Sequence, residues 1–534
     1  MARWLIAAVV AGGSAVVPGA RPTDAAVAGE VTLASHTPLS PATAPVGTSD
    51  SARSSADGAF VVFHSTATNL VAGQSDANWT SDVFLFERAT GVVTLVSHTP
   101  ASSTTTANAF SFISSISADG AFVVFTSTAT NLVAGQGDAN SDYDVFLFQR
   151  ATGAVTLVSH IPDSATSTAL AVSFDPWISA DGAFVVFRSP APNLVGQGDA
   201  NNDDDVFLFE RATGVVTLVS HTPAGATTTA NADSFGPWIS ADGAFVVFGS
   251  LATNLVAAQS DANGGGDVFL FQRATGAVTL VSHTPASSTT TANGFSSRPS
   301  ISADGAFVTF DSSATNLVAG QIDANNDGDV FLFERATGAV TLVSHIPDSA
   351  TTTSNSNSTT TSNNNGLNPS SSADGGFVLF TSAATNLVAG QSDANGAGDV
   401  FLFQRATGAV TLVSHIPAGA TTTANSGSGL PSISADGAFV VFSSIATNLV
   451  AGQIDPTGTT DMFLLQRATG AVTLVSHIPA SATTTANADS FSPSISADGA
   501  FVAFHSVASD LVAGQSDANN ANDVFQFRRT ATAA

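Results

Sequence analysis

The sequence predicts an all-β protein built from repeated units, and three observations support this. Short runs of β-branched and aromatic residues alternate with Asp-Gly and Thr-Gly pairs, which favour hairpins. Charged residues are only 10% of the chain while Phe contributes 37 residues, which suits strands buried on both faces. The tetrapeptide Ser-Ala-Asp-Gly recurs eight times, with its Asp at Asp57, Asp119, Asp181, Asp242, Asp304, Asp374, Asp436 and Asp498. Together these features predict an eight-bladed β-propeller.

Each repeat contains four predicted strands, which gives four-stranded antiparallel blades. The third strand is apolar on both pleat faces, as expected for a blade packed between two neighbours. In the second repeat the predicted strands are Ser114–Ser117, Ala121–Ser127, Asp144–Gln149 and Val155–His160.

The two ends of the chain are complementary. After residue 28 the chain opens with a lone fourth strand, Val31–Ala34, and it stops after a third strand, Asp523–Phe527. We therefore expect the N- and C-terminal strands to pair and close one ring, which leaves no blade edge unpaired. Two smaller propellers in tandem are the alternative, and the even repeat spacing favours one ring. One interval is longer and contains the polar tract Thr351–Asn365, predicted to be an exposed flexible loop.

The N-terminus resembles a secretory signal. Arg3 precedes an apolar run, Trp4–Val17, that is short for a membrane span and is followed by small residues. We expect a signal peptide at residues 1–28, with cleavage after Ala20 or, preferably, Ala28. The propeller then covers residues 29–529, and residues 530–534 form a tail. This predicts a secreted or periplasmic protein without a membrane span.

Composition excludes several functions. The net charge of −27 disfavours nucleic acids as partners and attracts cations. The chain has no Cys, which excludes disulfides, thiolate catalysis and Cys-type zinc sites.

Three segments of the second repeat resemble the WD40-like propeller repeat of the TolB family: residues 117–127, 144–148 and 151–159. The family usually has Pro where Ala118 stands and an acidic residue where Gln149 stands. The resemblance implies a propeller in an extracytoplasmic setting. It leaves activity open, because family members include binding scaffolds and accessory domains of enzymes.

The loop between the second and third strands is the strongest candidate site. It contains Asp-x-Asn-x-x-x-Asp in seven repeats, and oxygen ligands at such spacing suit Ca²⁺. The alternative is that Asp and Asn only form Asx-turns. The predicted ligands in the three most oxygen-rich loops are Asp138, Asn140, Asp142, Asp144, Asp199, Asn201, Asp203, Asp205, Asp323, Asn325, Asp327 and Asp329.

Eight His residues, each preceded by Ser, are predicted to close the fourth strands. Their eightfold recurrence favours a structural role over catalysis, although a ring of His at one rim would also suit a transition metal. Departures from the repeat are further candidates: Trp79, Trp177, Trp238, Tyr143, Arg188, Arg298, His64 and His505. Trp177 and Trp238, in adjacent blades, are predicted to bind a sugar or peptide; the alternative is that they fill space between blades.

These features predict a monomeric, non-catalytic propeller that binds a protein or carbohydrate partner and is stabilised by Ca²⁺. No phosphate-binding loop, zinc-protease motif or nucleophile elbow occurs. The alternatives are an extracytoplasmic hydrolase or lyase with its residues at the symmetry-breaking positions, and a purely structural surface protein.

Overall fold

The structure is a computed structural model that describes residues 29–196, 199, 201–323, 325–360 and 371–530. All regular secondary structure in these residues is β. The predicted signal peptide, residues 1–28, and residues 531–534 of the predicted tail lie outside the described residues.

The described strands form eight four-stranded antiparallel sheets, numbered here as blades 1 to 8 in chain order. The first strands are Ser49–Ser54, Ser111–Ile116, Phe174–Ile178, Ser234–Ile239, Ser296–Ile301, Ser358–Thr359, Ser428–Ile433 and Ser490–Ile495. The second strands are Phe60–Ser65, Phe122–Ser127, Phe184–Ser189, Phe245–Ser250, Phe307–Ser312, Phe377–Ser382, Phe439–Ser444 and Phe501–Ser506. The third strands are Asp82–Glu87, Asp144–Gln149, Asp205–Glu210, Asp267–Gln272, Asp329–Glu334, Asp399–Gln404, Asp461–Gln466 and Asp523–Arg528. The fourth strands are Val92–Leu95, Ala154–Leu157, Val215–Leu218, Ala277–Leu280, Ala339–Leu342, Ala409–Leu412, Ala471–Leu474 and, for blade 8, Glu30–Leu33.

Short hairpins connect several blades. Two predictions are wrong in this region: the end of the fourth strand and the polar tract as a loop throughout. The fourth strand of blade 2 ends at Leu157, and His160 begins a separate hairpin. The Thr351–Asn365 tract is not wholly loop, because its β-branched Thr residues join a hairpin strand and the first strand of blade 6. The hairpins are His98–Thr99 with Ser102–Thr106, His160–Ile161 with Ser164–Thr168, His283–Thr284 with Ser287–Thr291, His345–Ile346 with Ser349–Thr353, and His415–Ile416 with Gly419–Thr423.

The third strand carries the core because both of its faces pack against neighbouring blades. In blade 2, Phe146 lies in the apolar cluster shared with blade 1, and Leu147 lies in the cluster shared with blade 3. Each of eight such clusters joins two consecutive blades, and one of them joins blade 8 to blade 1. The blades therefore form one ring of eight, as predicted, and the tandem alternative is excluded.

The two ends of the chain close the ring together. The N-terminal strand is antiparallel to the third strand of blade 8, with Val31 opposite Phe527 and Leu33 opposite Phe525. Leu33 is fully buried in the cluster between blades 7 and 8. The predicted pairing of terminal strands is confirmed.

Each blade is a meander, so its connections alternate between two faces of the ring. The face with the tight turns between first and second and between third and fourth strands is called the lower face. The upper face carries the loops between second and third strands and the connections to the next blade.

A ring of backbone hydrogen bonds closes the lower face. In each Ser-Ala-Asp-Gly turn the Ala amide donates to the carbonyl of the equivalent Ala in the next blade. The series runs, with donor–acceptor distances of 2.7–2.9 Å, through Ala56, Ala118, Ala180, Ala241, Ala303, Ala373, Ala435 and Ala497, and returns to Ala56.

A second lower-face ring consists of Arg, Phe and Gly. The Arg150 guanidinium carbon lies 4.1 Å from the centroid of the Phe60 ring in the preceding blade, and Arg150 Nε donates to the Gly120 carbonyl at 2.9 Å. Gly120 also packs against Phe60 and has a φ of +64°. The same arrangement recurs in every blade, and it uses eight of the 14 Arg residues.

The first strands surround a central channel, and first strands of neighbouring blades contact each other. Arg53 of blade 1 contacts Trp177 of blade 3, which is not an adjacent blade. Side chains at this position, two residues before the Ser of each turn, therefore point into the channel. Its described occupants are Arg53, Ser115, Trp177, Trp238, Ser300, Ser432 and Ser494.

Candidate functional site

The upper-face loops hold pairs of buried carboxylates. In blade 4, Oδ1 of Asp261 accepts hydrogen bonds from the Asn263 amide at 3.1 Å and the Thr291 hydroxyl at 3.3 Å. Oδ1 of Asp267 accepts one from the Ser282 hydroxyl at 2.7 Å. The Oδ2 atom of each carboxylate is buried and has no hydrogen-bond partner. Each carboxylate of this pair thus uses one oxygen for the fold and leaves the other uncompensated.

The third-strand carboxyl of each pair has a raised pKa. Burial is the main cause that raises the pKa of Asp267 to about 7, and the charge of Asp261 raises it further. In every blade the charge of the Asp six positions earlier contributes, so the two carboxylates lie near each other. The third-strand residues with a pKa raised to about 7 or 8 are Asp82, Asp144, Asp205, Asp267, Asp329, Asp399, Asp461 and Asp523.

Unpartnered Oδ2 atoms recur around the ring. Blades 4, 7 and 8 each have two, at Asp261 and Asp267, at Asp455 and Asp461, and at Asp517 and Asp523. Blades 1, 2, 5 and 6 have one each, at Asp82, Asp138, Asp323 and Asp393. Blade 7 is included although its loop departs from the Asp-x-Asn pattern, so the common feature is the Asp pair.

The three loops predicted to bind calcium contain this pair, at Asp138 and Asp144, at Asp199 and Asp205, and at Asp323 and Asp329. Their Asn residues are already engaged: the side-chain nitrogens of Asn140, Asn201 and Asn325 donate to backbone carbonyls, and their oxygens accept backbone amides. The fifth-position residues Asp142, Asp203 and Asp327 are exposed. In the described structure two of these loops have one unpartnered Oδ2 each, at Asp138 and Asp323, and the loop of Asp199 and Asp205 has none. Calcium binding by these residues stays a prediction.

The Asx-turn interpretation and the cation interpretation use different atoms. Oδ1 of Asp138 accepts the amides of Asn140 and Ser141 at 3.1 and 2.8 Å, which is the Asx-turn. Oδ2 of Asp138 takes no part in the turn. Turn formation therefore leaves a ligand atom available.

Buried carboxylate oxygens without donors carry an uncompensated desolvation cost, which a hard divalent cation would offset. Ca²⁺ takes about six to eight oxygens, so carbonyls or water would complete the shell. The described residues contain no group of three His, Cys, Asp or Glu able to hold a metal.

The repeated Ser-His pairs do not form catalytic triads. Ser97 donates to Asp82 at 2.7 Å, and His98 Nδ1 lies 2.8 Å from the Thr99 carbonyl oxygen. The His98 ring packs edge-on against Phe148 of the next blade, with centroids 6.0 Å apart. Seven of the eight repeated His are buried and His221 is half-buried, each at its own blade junction. These residues therefore do not converge on one rim site.

Trp177 and Trp238 meet in the channel. Their ring centroids are 4.0 Å apart with an interplanar angle of 21°, and the Arg53 guanidinium carbon lies 4.7 Å from the Trp177 ring centroid. Two partners this close must occupy opposite faces of Trp177. Both indoles remain half-buried. Sugar or peptide binding by this pair stays a prediction and would use the exposed surface of Trp238.

Two other symmetry-breaking side chains have local partners. Arg188 forms ion pairs with Asp175 at 2.9 Å and Asp204 at 3.2 Å. Tyr143 packs against the rings of Phe110 and Phe112. These partners account for both residues without a ligand.

Two symmetry-breaking His residues lie at the seam between blades 8 and 1. Burial lowers the pKa of His64 to about 4 and also lowers that of His505. His505 Nε2 lies 4.0 Å from Asp50 Oδ1. Both imidazoles are therefore neutral at pH 7.

One cavity of about 170 Å³ opens on the upper face between blades 5 and 6. Its lining includes the exposed Phe295 ring and Arg298, whose Nη1 lies 3.4 Å from Asp311 Oδ2 and donates to the Thr359 hydroxyl at 2.9 Å. Arg298 is thus the symmetry-breaking residue that lines a cavity.

Trp79 is 75% exposed and has a φ of 57°. Large L-residues are disfavoured in this left-handed region by about 1 to 2 kcal/mol, whereas Asn and Gly tolerate it. The equivalent residues, all with positive φ, are Ser141, Asn202, Gly264, Asn326, Gly396, Gly458 and Asn520.

We expect Trp79→Asn to raise the free energy of unfolding by about 1 kcal/mol, measured by denaturant titration. Trp79→Ala is the control, because it removes the indole and keeps a residue that tolerates positive φ poorly. A Trp79→Asn protein no more stable than Trp79→Ala would contradict this explanation.

The chain is similar to several solved structures at low sequence identity. No protein-family model and no curated protein matches the chain. Similar solved structures include an oligogalacturonate lyase in complex with manganese (11% identity, TM-score 0.41, 78% of this chain and 88% of that chain). TolB from Acinetobacter baumannii is another (13%, TM-score 0.30, 77% and 81%). A third is the β-propeller domain of the Trilobed protease from Pyrococcus furiosus (9%, TM-score 0.40, 78% and 95%).

At these identities the likeness concerns the fold alone. The prediction of a propeller of eight four-stranded blades is confirmed by the sheets of the chain itself. No helix in the described part of the chain is both long and apolar enough to span a membrane.

Proposed function

We propose that this chain is an extracytoplasmic, non-catalytic propeller that binds Ca²⁺ in its upper-face loops and presents a binding surface to a protein or carbohydrate partner. The observation that carries the cation role is the recurrence of buried, unpartnered Oδ2 atoms on Asp pairs six residues apart. The secretory character of residues 1–28 supports the extracytoplasmic location.

Calcium at these sites would fix each upper-face loop to its own blade. One Asp of a pair lies in the loop between the second and third strands and the other begins the third strand, so a shared cation would join this loop to the core. Occupancy at a free calcium concentration about 100 times the dissociation constant stabilises the fold by about 2.7 kcal/mol per site.

The non-catalytic role is supported by how the reactive residue types are used. Ser97 and Asp82 bond to each other, while His98 is held by the backbone and by Phe148. This arrangement recurs from blade to blade, whereas catalytic constellations are single.

Calorimetric titration of calcium into chelator-treated protein, with parallel thermal melting, tests the cation role. We expect saturable binding at several sites and a higher melting temperature. Asp261→Asn combined with Asp267→Asn removes one equivalent of binding. Asp163→Asn, which removes an exposed charge from an upper-face hairpin, is the control and keeps all equivalents. Absence of both a heat of binding and a thermal shift would contradict calcium binding and leave Asx-turn formation as the role of the Asp and Asn residues.

A screen of glycans and peptides tests the partner role. We expect retention of a ligand without turnover, and bond cleavage by the unmodified protein would favour a hydrolase or lyase.

A further inference from the structure

The distribution of positive charge singles out one residue. The chain has 14 Arg and no Lys, and eight Arg form the lower-face ring. Arg3 and Arg21 precede the described residues. Of the remaining four, Arg188 and Arg298 have carboxylate partners and Arg528 is exposed, which leaves Arg53.

Arg53 is 7% exposed, and its Nε and Nη1 atoms are buried without a hydrogen-bond acceptor in the described structure. Its only described partner is the Trp177 ring, with which it makes a cation–π contact. Burial lowers its pKa to about 9, and no carboxylate opposes that effect. The guanidinium therefore stays charged at neutral pH without a counter-ion.

A buried, unpaired cation costs several kcal/mol, and a cation–π contact offsets only about 2 kcal/mol of this. The channel position does not require the charge, because four other blades have Ser there, at Ser115, Ser300, Ser432 and Ser494. Ser300 Oγ is also buried without a partner. Side-chain donors without a hydrogen-bond acceptor thus occur at channel positions on two blades, at Arg53 and Ser300.

We propose that Arg53 anchors an anion-binding site in the central channel, which takes the carboxylate of a small organic acid whose flat body lies beside the indoles. A planar guanidinium matches a carboxylate in shape and charge. The half-buried indoles show that solvent reaches this part of the channel.

The charge balance favours a monoanion. Arg53 supplies a single positive charge, while the chain carries −27 overall, which repels polyanions. The inference rests on the binding role proposed above and names the ligand chemistry of its channel. It shares no residue with the calcium sites.

Benzoate is the probe, benzamide its neutral counterpart, and inorganic phosphate the alternative anion. Binding is followed by tryptophan fluorescence at saturating calcium in the Trp79→Asn background, so that Trp177 and Trp238 dominate the signal. We expect saturable benzoate binding that weakens about tenfold or more in Arg53→Ser and for benzamide. Arg528→Ser removes the same charge from the surface and leaves the affinity unchanged.

Equal benzoate affinity in Arg53→Ser, or no saturable benzoate binding, would overturn the proposal, and preference for phosphate would overturn the carboxylate assignment. If Arg53→Ser fails to fold, chloride competition replaces it: added chloride lowers benzoate affinity at an anion site, and no effect overturns the proposal. Benzoate binding without any heat or thermal shift on adding calcium would contradict the calcium proposal alone. A heat or thermal shift on adding calcium without benzoate binding would contradict the anion-site proposal alone.

Discussion

Without calcium, the protein is expected to be more stable at about pH 6.5 than at about pH 8.5. Eight third-strand Asp residues have a pKa raised to about 7 or 8, chiefly by burial. In the unfolded chain their pKa returns to about 3.9. The folded state therefore holds more protons across this range, and stability is lost as pH rises through 7 to 8.

The expected slope is large, because each carboxyl contributes up to about 1.4 kcal/mol per pH unit between its unfolded and folded pKa values, and the slope falls to zero above the folded pKa. The lower limit of pH 6.5 avoids a contribution from His64, whose pKa is lowered to about 4 and which destabilises the fold only below its unfolded value of about 6.5.

Thermal melting in chelator at the two pH values measures this effect, and repetition with calcium completes the test. Calcium is expected to raise the melting temperature more at pH 8.5 than at pH 6.5, because protons compete with the ion for the same oxygens. A chelator-treated protein that is equally stable at both pH values would show that these carboxylates are not strained by burial.

Gly120→Ala is expected to be among the most damaging single substitutions. Gly120 has a φ of +64°, and an added Cβ would lie 2.3 Å from Phe60 Cδ2. The Phe60 ring cannot move aside easily because it also packs against Arg150. Overpacking costs about 1 to 3 kcal/mol, and the positive φ adds about 1 to 2 kcal/mol for a residue with a Cβ.

Gly135→Ala is the matched control. Gly135 has a φ of +73°, and nothing lies within 4 Å of its added Cβ, so only the backbone term remains. Denaturant unfolding of the two variants should differ by about 1 to 3 kcal/mol. Equal losses would show that the packing against Phe60 is unimportant.

The blades and their closure were predictable because both depend on spacing. The repeat interval sets the number of blades, and the order of strands at the two ends sets the pairing of Glu30–Leu33 with Asp523–Arg528. The structure of the Thr351–Asn365 tract was harder to predict, because its polar composition is typical of loops while its Thr residues also suit strand pairing.

The sites were predictable only in part. The Asp-x-Asn pattern predicts that Asn140 is a calcium ligand. In the structure the Asn140 side-chain nitrogen instead donates a hydrogen bond to the Ala169 carbonyl. The pair Asp138 and Asp144 depends on how the loop folds back onto the third strand, which residue spacing does not specify. Arg53 was missed because its role follows from two facts absent from the sequence: its position points into the channel, and no carboxylate reaches it.

The closing strand has a consequence for assembly. Its Val31-Thr32-Leu33 segment matches the Val-Thr-Leu of the other fourth strands, so the same segment of a second chain would complete blade 8 equally well. Pairing within one chain is favoured over pairing with a second chain, because the strand is tethered to the ring that it completes and its effective concentration is therefore high. We expect refolding at high protein concentration to favour strand exchange, which would link rings in series without changing their blades.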